Sequence, residues 1–158
     1  MNAIVMDIPG ISGESKLVGF EGKIDVLAFS HGMAMQINPQ RDHERTYDNK
    51  SIHQDFVVTK TLDSASIPLN LACCSGKDLG TVHVLVGQKT ALGGLNVVIA
   101  YELSNVICAT ITLSGGGDQA PMESVALNYS KIRWHYMPLV EGGAENAGGW
   151  DLVENRLL

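Results

Sequence analysis

A chain of 158 residues with a net charge of -6 and no long low-complexity tract reads as one domain over residues 1–158, large enough to bury about 68 to 70% of the surface its unfolded form exposes. With 11 Lys and Arg against 17 Asp and Glu, a general phosphate-binding surface is excluded and nucleic acid is not an expected partner. Charged residues make up 18% of the chain, below the usual share of about 25%, which leaves neutral surface suited to contacts between subunits.

The N-terminal strand signal, residues 3–7, carries no basic segment and ends at Asp7 and Pro9, so no standard export leader is expected. The apolar stretches around residues 97–100 and 106–113 fall short of the roughly 18 residues of a membrane helix, so no membrane insertion is expected either. Cys73, Cys74 and Cys108 are odd in number and lack a Cys-x-x-Cys spacing, which leaves a disulfide framework unsupported.

A glycine-rich turn region covers residues 9–22. Residues 24–36 follow as one long extended segment, from Ile24 and Val26 to Met33 and Met35, with a bend at Gly32. Residues 37–51 differ in kind: Asn38, Arg41, Asp42, Glu44 and Arg45 leave little to bury, and the segment reads as an exposed arm. Strand signals resume at residues 53–59 and give way after Asp63. Asp63 or Ser64 is the expected N-cap of a helix running to about Ser75 and closed by Gly76 and Lys77. Leu62, Ala65, Leu69, Ala72 and Cys73 form its apolar stripe, while Pro68 argues for a kink.

After Gly80 the pattern is all strand. Val82, Val84 and Val86 alternate with Thr81, His83 and Leu85, a turn covers residues 87–94, and residues 97–102 and 106–113 follow around Ser104 and Asn105. Residues 115–136 read as one long strand whose apolar phase jumps from Val125, Leu127 and Tyr129 to Ile132, Trp134 and Tyr136. A period of two with a slip at Ser130 and Lys131 signals a bulge, the device that bends a sheet toward closure. Together these elements predict a mainly β fold: a closed β-barrel of two sheets with one flanking helix and a protruding loop.

Catalytic and metal motifs are missing from this pattern. His31, His43 and His53 have gaps that match no short zinc-ligand spacing. Gly115-Gly116-Gly117-Asp118 lacks the lysine of a phosphate loop and leads into a strand. Ser12, Ser15 and Ser51 sit in no Gly-x-Ser-x-Gly elbow. Trp134 and Trp150, on alternating segments, fit packing in the core or at an interface. No cofactor and no enzymatic activity are expected.

Several blocks resemble a known family. Gly13-Glu14-Ser15-Lys16, Ile24-Asp25-Val26-Leu27-Ala28-Phe29-Ser30, Gln54-Asp55-Phe56 leading to Thr59-Lys60, and Leu71-Ala72-Cys73 followed by Ser75-Gly76-Lys77 are similar to segments of Hcp, the tube protein of type VI secretion systems. The likeness continues through Glu123-Ser124-Val125-Ala126-Leu127-Asn128-Tyr129 to Gly148-Gly149-Trp150-Asp151-Leu152. The resemblance implies a closed barrel that assembles into homo-hexameric rings. The rings stack into a hollow tube capped by a VgrG-type spike, enclosed by contractile sheath proteins and able to carry secreted effectors.

It further implies a protein that is cytoplasmic before assembly and is then delivered to the extracellular space or a target cell. Contacts between subunits or rings are expected at Asn38, Arg41, Asp42, Glu44, Arg45, Tyr47 and Trp150, and Ser30 is expected to face the lumen. Two departures stand out: His31 where many members carry an aromatic residue, and an arm charged through residues 41–45 where relatives are often glycine-rich. Two rival classes remain, a single-barrel ligand-binding or adhesin-like protein and a metal-dependent hydrolase. The first predicts a monomer or dimer, the second stoichiometric metal.

Overall fold

The computed structural model describes the backbone of residues 2–39 and 45–158, with the side chains of 38, 39 and 45–49 outside the description. β1 (Asn2–Asp7) lies inside the larger sheet, paired antiparallel with β2 (Ile24–Val26) on one side and β7 (Val82–Lys89) on the other. That sheet continues through β8 (Leu95–Ser104), β11 (Lys131–Tyr136) and β12 (Asn146–Asp151) to β13 (Arg156–Leu157). A second sheet orders β3 (Ala28–Ser30), β6 (Phe56–Thr61), β10 (Gln119–Asn128) and β9 (Ile107–Gly116). Among the described residues, β4 (Met33–Pro39) and β5 (Arg45–His53) pair only with each other.

The expected closed barrel is not formed. The seven-stranded sheet ends at β2 and β13, the four-stranded sheet ends at β3 and β9, and among the described residues no ladder joins one to the other. The sheets instead enclose a shared core, with Met6, Val84, Leu103 and Ile132 from the first meeting Phe56, Val58, Val125 and Leu127 from the second. Burying the inner face of each sheet removes apolar surface from water without requiring the edges to meet.

The segments read as continuous strands are where the chain passes between the sheets. The run over residues 24–36 breaks into β2, β3 and β4. Only Leu27 separates β2 from β3, and its N–H donates to the Thr59 carbonyl at 2.7 Å, so the transfer loses no hydrogen bond. The run over residues 115–136 likewise splits into β10 and β11, and the turn at residues 117–118 makes a hairpin of β9 and β10. The phase jump at Ser130 and Lys131 therefore marks a change of sheet rather than a bulge. Tyr129 and Ile132 both stay buried because the core lies on opposite sides of the two strands.

The helix, α1, spans Ser66–Ser75 and packs Leu69 and Ala72 into the core. It starts later than expected, with Ala65 at the N-cap and no side-chain cap bond. Asp63 acts one step earlier: its Oδ1 accepts the Ala65 N–H at 3.0 Å, while its own N–H donates to Ser66 Oγ at 3.0 Å. Pro68 is the third helical residue, where the N–H has no intrahelical acceptor to lose, so the expected kink has no cause. Gly76 closes the helix in the left-handed conformation at φ 64°, as its position predicts. Gly13 is required by contact instead: a Cβ there would sit 2.7 Å from Ile24 Cα, against the start of β2.

Candidate assembly surface

A charged joint fastens the second sheet to the helix. Lys60 on β6 is fully buried, and its ammonium lies 2.6 Å from Glu123 Oε2 and 2.8 Å from Asp63 Oδ1. It also donates to the Thr61 carbonyl at 3.0 Å, and Ser66 Oγ donates to Glu123 Oε2 at 2.9 Å. One cation between two carboxylates, each held by further hydrogen bonds, meets the condition under which buried charge is tolerated. The arrangement ties β6, β10 and the start of α1 together.

The hairpin of β4 and β5 is rooted in an aromatic cluster. His31 stacks on Phe56 with ring centroids 5.2 Å apart and meets the edge of Tyr101 at 5.1 Å, while Phe29 stacks on Phe56 at 5.6 Å. On the other strand, His53 packs edge-on against Tyr129 at 6.3 Å, and Ser51 Oγ lies 3.0 Å from His53 Nε2. The Nδ1 atoms of both histidines are buried without a partner among the described residues. Burial lowers the pKa of His31, with the charge of His53 adding to the effect, and burial also lowers that of His53. Tyr129 is pushed up to about 12 by burial and then by the Asp55 carboxylate, and its hydroxyl donates to the Gln54 carbonyl at 3.1 Å.

Beyond that root the hairpin leaves apolar side chains uncovered. Met33 and Met35 stand at alternate positions of β4 and share a face, and Ile37 follows past a register irregularity; their exposures are 47, 41 and 54%. Ile52 opposite Ala34 is exposed on the other face. A second uncovered pair, Ile67 and Leu71, stands one turn apart on the outer side of α1.

Of the expected contact residues, Asn38, Arg45 and Tyr47 fall on the paired backbone of β4 and β5, where Asn38 faces Thr46 and Ile37 faces Tyr47. Arg41, Asp42 and Glu44 lie outside the described residues. The arm over residues 37–51 is thus largely a β-ribbon in its described part rather than a loop. Its strand character is hidden in the sequence because the polar residues of this stretch show no apolar alternation. Ser30 is exposed on the edge strand β3. Trp150 is half-buried on β12 against the core, opposite Ile132 and Leu157, and its Nε1 has no partner among the described residues.

Of the three histidines weighed as metal ligands, His43 lies outside the described residues; among the described residues no group of three or more His, Cys, Asp or Glu is gathered as ligands. His83 and Glu102, 3.6 Å apart, and Arg133 and His135 line an open groove of about 450 Å³ on the outer face of the larger sheet. The aromatic root and the Lys60 joint were not recognised from sequence. A signal for the joint existed, since Lys60 follows Phe56 and Val58 and Glu123 precedes Val125 and Leu127 on inward-facing phases.

Comparison with known proteins places this architecture. The family model described as "Type VI secretion system effector, Hcp" matches residues 5–136. Protein hcp1 of Pseudomonas aeruginosa is 29% identical over 155 residues, covering 94% of this chain and 93% of that protein. The crystal structure of Hcp1 from Salmonella typhimurium superposes with a TM-score of 0.82 at 24% identity, covering 99% of both chains. A solved type six secretion system protein superposes at 0.88 with 22% identity and complete coverage of both. The two structural matches establish the shared fold. No helix among the described residues is long and apolar enough to cross a membrane. With most of its length matched by the family model, the chain belongs to the Hcp family of type VI secretion system effectors.

Proposed function

We propose that this chain is the non-catalytic building block of the type VI inner tube, with six copies closing into a ring and rings stacking around a lumen that carries effectors. The observation that carries this reading is the hairpin of β4 and β5, which forms a sheet of its own and exposes Met33, Met35 and Ile37. A two-stranded ribbon is marginal in water, and a neighbouring copy laid against it supplies the missing cover. A ring of identical subunits uses one patch against a different patch on the next copy, and it closes when the rotation returns to the start.

Asn38, Arg41, Asp42, Glu44, Arg45 and Tyr47, together with Trp150, make the contacts between subunits or rings, and Ser30 faces the channel. The chain resides in the cytoplasm until it assembles with a VgrG-type spike and contractile sheath proteins, and it is then expelled with its cargo. Native mass spectrometry of the purified protein tests the reading. A sixfold assembly, lost when the middle of residues 37–51 is deleted from a chain that still folds, supports it. A monomer or dimer at high concentration overturns it. For the channel, a Ser30 substitution that leaves rings intact but impairs effector retention supports the placement, and unchanged retention counts against it.

A further inference from the structure

Three cysteines without a recognisable spacing gave no disulfide from sequence, yet the fold brings two of them together. α1 packs against β9, and the Cys73 thiol on the helix donates to the carbonyl of Ala109, the residue next to Cys108, at 3.8 Å. The Cys108 thiol interacts with that of Cys73 and also donates to the Thr110 carbonyl at 3.8 Å. Cys108 is buried, Cys73 is half-buried and reachable from solvent, and Cys74 is exposed on a different side of the helix.

We propose that Cys73 and Cys108 form a redox site, oxidised by a small-molecule disulfide of the glutathione class to an intramolecular disulfide that pins α1 to β9. The chemistry belongs to the pair itself. Only the place where it happens, outside the reducing cytoplasm, rests on the secretion reading.

The reachable thiol reacts first. Cys73 thiolate attacks one sulfur of the small disulfide, the S–S bond breaks, and a small thiolate leaves and takes up a proton. Cys108 then gives its proton to solvent and attacks Cys73 Sγ. The Sγ–Sγ bond forms and the second small thiolate departs. Two protein thiols are oxidised and one small disulfide is reduced to two thiols. The second step is the slow one: Cys108 is pushed up to about 12 by burial first and then by its interaction with Cys73, so its thiolate is scarce at neutral pH. The bond closes a loop that contains the whole of β7 and β8, the kind of long closure that restricts the unfolded chain most.

The test incubates the purified, fully reduced protein with oxidised glutathione at several pH values, followed by alkylation, intact mass and peptide mapping. The expected product is lighter by two hydrogens and contains a Cys73–Cys108 peptide. It is reversed by dithiothreitol and melts roughly 5 to 10 °C higher than the reduced form. Its formation accelerates by up to about tenfold per pH unit, following the Cys108 thiolate. C108S traps glutathione on Cys73, C73S forms no internal bond, and C74S behaves as the parent. If C108S does not fold, mapping of the parent and C73S decides the matter. Only Cys74 adducts, Cys74-linked dimers, or no Cys73–Cys108 peptide after prolonged oxidation at alkaline pH overturns the proposal. A crosslink that forms in a chain that never makes rings removes the tube reading and leaves the redox site standing.

Discussion

Lys60 and Glu123 face each other directly across β6 and β10, with Nζ and Oε2 2.6 Å apart and both side chains sealed from water. Removing one partner leaves an ion with inadequate compensation in a medium that solvates it poorly. We expect Glu123→Ala to cost about 3 to 5 kcal/mol in denaturant unfolding. The triple change Lys60→Met, Glu123→Leu and Asp63→Asn removes the cation and both carboxylates while keeping a side-chain oxygen for the Ala65 N–H, and it should be less destabilised than the sum of the three single changes. A triple variant as unstable as the summed single changes would show that the charges are not the source of the penalty.

The exposed face of β4 yields an assembly prediction. Met35→Asp or Ile37→Asp places a charge on a face with no core behind it, so the melting temperature should move little, within about 0.5 kcal/mol of the parent. Light scattering should nevertheless show smaller species, because a neighbouring copy would have to bury that charge. Rings that form normally with both substitutions present would exclude this face from the interface.

His31 and His53 give a pH dependence whose sign follows from burial. Their folded pKa values are lowered, so the unfolded chain binds more protons in the window just below about 6.5. Stability is fully present above that value and falls as pH drops toward the folded pKa values. The ionisable groups around them are each other, Tyr101 and Tyr129, with Asp55 close to Tyr129. His31→Phe keeps the stack on Phe56 and removes one titrating ring, so its thermal midpoint should decline less between pH 7 and 5 than that of the parent. Parallel declines would show that His31 does not carry the effect.

Tyr129 acts at the opposite end of the scale. Its phenol is pushed up to about 12 in the fold but ionises near 10 in the unfolded chain. Stability therefore falls as pH rises from about 10 to about 12, because the unfolded chain releases its proton first. Tyr129→Phe should lose about 1 kcal/mol at neutral pH with the bond to the Gln54 carbonyl, and it should unfold less readily with added alkali. Tyr101, also raised by burial, keeps part of the slope.

The local chemistry of this chain was readable where a rule depends on neighbouring residues. Gly76 ends the helix as a glycine after an apolar stripe should, and Val82, Val84 and Val86 alternate into a strand. Closure was misjudged because period-two patterning records which side of a strand is buried, not which sheet it joins. A strand that crosses between sheets at Tyr129 and Ser130 and a strand that bends at a bulge leave the same phase jump. The Lys60 joint needed two inward-pointing charges far apart in sequence to be recognised as opposite one another. The thiol pair needed the helix to be placed on β9. Both are properties of packing, which no spacing along the chain encodes.

The position of β1 has a consequence for synthesis. This strand is made well before one of its flanking partners, β7, which begins at Val82. At about 5 to 20 residues per second, Ile4, Val5 and Met6 wait roughly 4 to 15 s at the ribosome with that edge unsatisfied. The nascent chain thus presents a sticky apolar strand to the cytoplasm for seconds on every round of translation. Holding factors that bind short extended apolar segments should therefore engage it between the emergence of β1 and that of β7.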